Sequence, residues 1–119
     1  MSQAPIDKAT PQLTLEIERA DNSAVVRCNG KLVAGVTEFL YTNVSDLIPD
    51  NRKIVLDLTN LTYMDSMGLG TIIRLFVSAK SAGCDLQLIN IGKRIRELLG
   101  MTNLLSVLGT CGEYDIRMP

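Results

Sequence analysis

The sequence predicts a small α/β domain: a mixed β-sheet that opens with an antiparallel hairpin, continues through β-α-β crossovers and carries packed helices. Three observations predict it. Leu13, Leu15 and Ile17 alternate with Thr14, Glu16 and Glu18, the period of a half-buried strand. Ile54-Val55-Leu56-Asp57-Leu58 is a short, nearly continuous apolar run, which suits a central strand covered on both faces. Leu69, Ile72, Ile73, Phe76 and Ala79 recur at helical spacing, the strongest helix signal in the chain.

The elements follow in order. Residues 1–12 carry Pro5 and Pro11 among polar residues and read as a flexible tail, leaving 13–119 as a single domain. Ala20-Asp21-Asn22-Ser23 is turn chemistry, and Ala24 to Asn29 is a second strand with Val26 and Cys28 facing the core. Gly30 breaks that pattern, and Leu32 or Val33 continues it briefly. Val36, Phe39, Leu40, Val44, Leu47 and Ile48 share one helical stripe, which Pro49-Asp50-Asn51 ends. After the central strand and the best helix, Gly83 is a stop. Leu86, Leu88 and Ile89 make a fourth strand, and a third helix begins near Gly92 with Ile95, Leu98 and Leu99. Leu104 to Leu108 suit a short further turn. Two successive strands followed by strand-helix alternation imply one antiparallel pair and then right-handed parallel crossovers.

Composition narrows the function. The chain has 119 residues, enough for one core, with 46% hydrophobic and 21% charged residues. Twelve basic and 13 acidic residues leave a net charge of −1, which gives no case for nucleic acid or an anionic membrane. Histidine is absent, so a Ser-His-Asp triad, a histidine base and imidazole-based zinc sites are excluded. Cys28, Cys84 and Cys111 are too widely spaced for a zinc ribbon, and three idle thiols suit a reducing compartment. No apolar signal core or bilayer-length run occurs, so a soluble, cytoplasmic domain is expected.

One segment can carry chemistry: Tyr63-Met64-Asp65-Ser66-Met67-Gly68-Leu69-Gly70, between the central strand and the best helix. Ligands and partners meet α/β sheets beyond the carboxyl ends of the strands. Ser66 falls where an N-cap is expected, and capping alone, worth ~1 kcal/mol, would explain a serine there. Gly68 and Gly70, however, lie in a first helical turn, where each costs roughly 0.5–1 kcal/mol against alanine. That cost implies an unobstructed backbone and a hydroxyl left open to a large partner. A phosphate on Ser66 would face the positive end of the helix, beside Asp65, and add about −1.5 to −2 charges. A partner docked on Met67, Thr71 or Arg74 would then meet a desolvated dianion.

Asp65-Ser66-Met67-Gly68-Leu69-Gly70, placed after Ile54–Leu58, resembles the phosphoacceptor motif of anti-sigma factor antagonists, the stand-alone STAS (sulfate transporter and anti-sigma factor antagonist) domains. The resemblance runs from about Leu13 to Leu108 and takes in Gly30-x-Leu32 and Leu86-Gln87-Leu88. It implies a protein that is not an enzyme and holds no cofactor. The unmodified form binds an anti-sigma factor that is also a serine kinase. Phosphorylation of the matching serine, Ser66, releases that partner, and a metal-dependent serine phosphatase resets the switch. ATP and magnesium belong to the kinase. Asp65, Gly68 and Gly70 are the implied supports of the switch loop, and Met67, Leu69, Thr71 and Arg74 the implied docking residues. The sequence departs from the pattern at Val33, where relatives often have an acid, and after Gly109, where many have an amphipathic closing helix.

Rival readings are weaker. A receiver domain needs an acidic pair after the first strand, and Glu18 and Asp21 instead flank a hairpin. Gly68-x-Gly70-x-x-Ile73 is an incomplete dinucleotide fingerprint inside a helix. A STAS interaction module of a transport or lipid-trafficking complex, with Ser66 only a cap, is the alternative from another class. Lys93, Arg94 and Arg96 read as a solvated basic face, Leu75 and Val77 as candidate exposed anchors, and Met64 equally as interface lining or core filler. Asp57, in a buried strand, needs a sheet end or amide partners.

Overall fold

The computed structural model of the chain describes residues 8–93 and 95–97, and the backbone of 116–117. Its elements are β1 (Lys8–Ala9), β2 (Leu13–Arg19), β3 (Ser23–Leu32), α1 (Thr37–Ser45), β4 (Lys53–Met64), α2 (Ser66–Ser81), β5 (Asp85–Ile89) and β6 (Ile116–Arg117). A short 3₁₀ turn, Ile48–Asp50, holds Pro49 and follows the end of α1 at Ser45. The strands lie in sequence order across one sheet. The expected hairpin is there, with β2 antiparallel to β3, and both crossovers are parallel, β3 to β4 and β4 to β5. Lys8 and Ala9 pair with Leu15 and Thr14, so strand structure begins inside the stretch read as a tail. The third helix is present at Lys93 and residues 95–97. Its continuation through Leu98 and Leu99, Arg94, the 104–108 turn, Cys111 and the region after Gly109 up to residue 115 lie outside the described residues.

Alternation sends Leu13 and Leu15, Ala24, Val26 and Cys28, and Ile54, Leu56 and Leu58 to one sheet face. Leu40 and Val44 of α1 and Ile72, Leu75, Phe76 and Ala79 of α2 are buried in the same core. Each fully buried Leu, Ile or Phe contributes about 1.5–3 kcal/mol relative to exposure. The expectation of a central strand covered on both faces is corrected: Val55 and Asp57, on the opposite face, are only half-buried. That face is polar. Arg27 pairs with Glu18 at 3.1 Å and lies 3.8 Å from Asp57, while Asn29 donates to Glu16 and Asn60 donates to Asn29. Burial works to raise the Asp57 carboxyl, but bonds from Thr59 and Asn90 and the Arg27 charge hold it below the usual range. Burial pushes the Cys28 thiol up to about 12, which keeps it protonated and inert. Among the described residues no helix is long and apolar enough to cross a membrane.

Two glycines set the close approaches. Gly30 does not end β3. It sits at φ +111°, where a Cβ would collide with the Gln12 carbonyl oxygen, and the strand continues to Leu32. The β3–β4 register shifts between Arg27 and Asn29 and again between Gly30 and Lys31, so Leu32 finishes opposite Met64. Both strands therefore end at one level. Gly68, in the first turn of α2, lies over that end. A Cβ there would collide with the Leu32 carbonyl oxygen and come within 2.8 Å of Leu32 Cγ and 3.0 Å of Met64 Cγ. Its reason is packing against β3, which replaces the expectation that it clears space around Ser66. Gly70, by contrast, has open space where its Cβ would stand.

The two glycines should separate cleanly in unfolding experiments. Gly68→Ala overpacks the β3–α2 contact and should cost about 1–3 kcal/mol. Gly70→Ala removes a helix-interior glycine and should stabilise by roughly 0.5–1 kcal/mol. Urea titration of both variants reads the difference.

Candidate functional site

β4 runs without interruption to Met64, so the Asp-Ser-Met-Gly segment starts directly at the strand end. The N-cap of α2 is Asp65, not Ser66. Asp65 has extended backbone, and its Oδ1 accepts from the Gly68 N–H at 2.9 Å. Ser66 is thus the first helical residue. The reason is chemical: Asp and Ser are comparable caps, but the Asp65 carboxylate also has a second donor to serve. Its Oδ2 accepts from the Ala34 N–H at 3.0 Å, in the loop between β3 and α1. The Asp65 N–H donates to the Leu32 carbonyl at 3.2 Å, and the Asp65 carbonyl accepts from Leu69 N–H at 3.0 Å to start the helix.

Relieved of capping, the Ser66 side chain is exposed and makes no hydrogen bond among the described residues. The helix N-terminus itself is already occupied by the Asp65 carboxylate. A phosphate on Ser66 would stand beside that carboxylate on the surface and share the helix N-terminus with it, instead of having that end to itself as the sequence suggests. The Ala34 N–H, with further help from the Gly68 and Met67 amides, holds the Asp65 carboxyl below the usual range, against a smaller opposing effect of burial. Asp65 is therefore ionised at neutral pH.

The remaining sequence-derived residues divide by helix phase. Met67 is 58% exposed, and Arg74 is exposed two turns further along α2. Leu69 and Thr71 are only 4% and 3% exposed. Leu69 packs in the core, and the Thr71 hydroxyl donates to the Met67 carbonyl at 3.1 Å. Neither offers a side chain to a partner, which corrects the expectation that they dock one. Leu75 is fully buried, so of the two candidate anchors Val77 alone, 57% exposed, reaches the surface. The outer stripe of α2 is Ser66, Met67, Gly70, Arg74 and Val77. Ser66 and Gly70 are neighbours on it at i, i+4 spacing. Arg74 is tied to α1: it donates to Glu38 at 2.7 Å and lies 4.0 Å from the Tyr41 ring centroid. Tyr63, near the end of β4, is 42% exposed. Val33, at the slot where an acid was expected, is half-buried against the core. Lys93 is exposed and Arg96 half-buried. Sequence reasoning missed Ala34, whose contribution is a backbone N–H and so leaves no side-chain signature.

The Asp65 cap predicts a pH-dependent contribution to stability. Because its carboxyl is lowered on folding, the stabilisation is present above the ordinary carboxylate value of 3.8 and is lost as pH falls through the lower folded value. Asp65→Ala should cost about 1 kcal/mol at pH 7. Chemical unfolding from pH 7 down to about pH 3 should show this gap to wild type narrowing at the acid end.

Comparison with known proteins places this geometry in a family. The STAS domain family model matches residues 14–115. The anti-sigma F factor antagonist of Paenibacillus polymyxa is 26% identical over 98 residues, covering 81% of this chain and 84% of that protein. The anti-sigma-B factor antagonist of Bacillus subtilis (strain 168) is 24% identical over 96 residues, covering 81% and 88%. The phosphorylated form of the Bacillus cell fate determinant SpoIIAA shares the fold, with a TM-score of 0.63 at 20% identity over 76% of this chain and 84% of that one. With a family match that runs from the first long strand almost to the C-terminus, this chain belongs to the STAS domain family.

Proposed function

We propose that the chain is a cytoplasmic anti-sigma factor antagonist that works by partner switching, with Ser66 as the phosphoacceptor. The unphosphorylated form binds an anti-sigma factor that is also a serine kinase, and phosphorylation of Ser66 releases it. A serine phosphatase restores the binding form. The observation that carries this reading is the Ser66 hydroxyl itself: exposed, unbonded and held at the first position of α2 by a cap that belongs to its neighbour. Two relatives that match over most of their length are antagonists of anti-sigma factors, which supports the same role. A structural neighbour exists in a phosphorylated form, in keeping with a phosphoacceptor on this fold.

The chemistry asked of this chain is small. Ser66 Oγ forms a bond to the γ-phosphorus of the kinase's ATP, the bond to the ADP oxygen breaks, and the hydroxyl proton passes to a base on the kinase. Asp65 is a poor candidate for that base, because the backbone N–H groups of Ala34 and Gly68 hold its carboxyl below the usual range. The chain serves as substrate and binder, not as enzyme, and needs no cofactor of its own. The outer stripe of α2 is the docking surface, and bare Gly70 lets a partner approach Ser66 along it. Adding about two negative charges there places a dianion in a desolvated interface next to ionised Asp65.

Phosphorylation should therefore weaken binding by about a hundredfold or more, ~3 kcal/mol. Incubation with candidate kinases and ATP, followed by mass spectrometry, should find one phosphoryl group on the peptide containing Ser66. In a pull-down with ATP present, Ser66→Ala should retain the kinase while wild type loses it. Ser66→Asp should bind weakly, although one carboxylate copies a dianion poorly. Wild-type binding by both variants would refute the switch.

A further inference from the structure

Asp65 joins two parts of the molecule that are 31 residues apart at their point of contact. One oxygen holds the first turn of α2 through Gly68, and the other holds the β3–α1 loop through Ala34. We propose that Asp65 is a positioning residue through which a phosphate on Ser66 loosens the 33–36 loop, so that the switch alters the shape of the docking face as well as its charge. This rests on the reading of Ser66 as phosphoacceptor.

The two bonds to Asp65 are not equivalent. The Gly68 bond is partly buried, so that N–H has no cheap substitute partner. The Ala34 bond is exposed, and water replaces the carboxylate there at little cost. Among the described residues Asp65 makes no ion pair that would absorb a second anion beside it. A phosphate of nearly two charges on the adjacent residue therefore repels the carboxylate, and the bond that yields is the one to the loop.

What the loop shapes is specific. Ala34, Gly35 and Val36 form one wall of a groove of about 390 Å³, and Thr10, Pro11 and Gln12 form the other. Ala34 and Gly35 are exposed, and a backbone bond from Val36 N–H to the Val33 carbonyl at 3.1 Å closes this turn. Releasing Ala34 changes this wall while Val36, buried in the core, anchors its far end. The kinase that docks on α2 thus meets a second surface whose order depends on the Ser66 state.

Asparagine separates shape from charge. An amide of the same size has one acceptor oxygen and one NH₂ donor, so it can cap Gly68 but presents a donor to the Ala34 N–H. Asp65→Asn removes a negative charge beside Ser66 yet breaks the loop bond. If charge alone governs binding, this variant binds the kinase as well as wild type or better. Under the coupling proposed here it binds more weakly.

The test uses the full chain carrying genetically encoded phosphoserine at position 66, compared with the unmodified chain by NMR amide exchange. The Ala34 amide should exchange about tenfold faster or more in the phosphoserine form, ~1.4 kcal/mol, while the Leu69 amide keeps its protection. Unchanged Ala34 exchange overturns the coupling, as does wild-type kinase affinity in a folded Asp65→Asn chain. The phosphoserine measurement decides alone if that variant does not fold. The partner-switch reading is judged separately, by whether the phosphoserine chain still binds the kinase.

Discussion

The bridge made by the Asp65 carboxylate is the contact on which the candidate site depends. Two N–H donors, Gly68 and Ala34, converge on one side chain at 2.9 and 3.0 Å. That convergence is prepared by the sheet. Parallel pairing brings Leu32 and Met64 to the same level, so the chain leaves β3 and β4 side by side and turns into α1 and α2 from adjacent points. Gly68 lets α2 begin directly over the Leu32 carbonyl, close enough for one carboxylate to span both departures. A side chain at position 68 would push the helix outward and stretch the bridge. Packing and capping are here one geometric problem, solved jointly by Gly68 and Asp65.

Most of the fold was legible because its pattern is local. Alternation in Leu13–Ile17 and the helical stripe from Leu69 to Ala79 each lie within one element, and both elements formed as read. What failed was non-local. The central strand was read as the short run Ile54–Leu58 because the nearly continuous apolar stretch stops there. Beyond it the buried residues are Leu58, Leu61 and Met64, three apart, following the register shifts against β3. No window on β4 alone reveals a shift made with another strand. Leu75 looked peripheral on the α2 stripe, yet α2 is buried over a wide arc that takes in Gly68, Leu69, Thr71 and Leu75, and that same breadth removed Leu69 and Thr71 from its exposed face.

The site was half legible for a related reason. Asp65 and Ser66 are adjacent residues of nearly equal capping preference, and local propensity does not choose between them. The choice is made by Ala34, a residue of another segment acting through its backbone. The glycines show the same split. Sequence reasoning recognised that both carry a helix cost, but only the folded neighbours reveal that Gly68 answers to Leu32 while Gly70 answers to open space.

The displaced cap also bears on how a small domain can be switched at all. A serine at an N-cap spends its oxygen on a backbone N–H, and attaching a phosphoryl group there would disturb the helix along with the surface. At the first helical position the hydroxyl owes nothing to the fold. A phosphoryl group on it would leave the core, the sheet and the Gly68 bond in place, so unmodified and phosphorylated chains would be two forms of one folded protein. The same arrangement would put a new charge where little neutralises it, since the Asp65 carboxylate already stands at the positive end of α2. Under the proposed switch, an acidic cap next to an uncommitted serine would keep the cost of modification low for the chain and high for whatever is docked on it, which is the asymmetry that a reversible release requires.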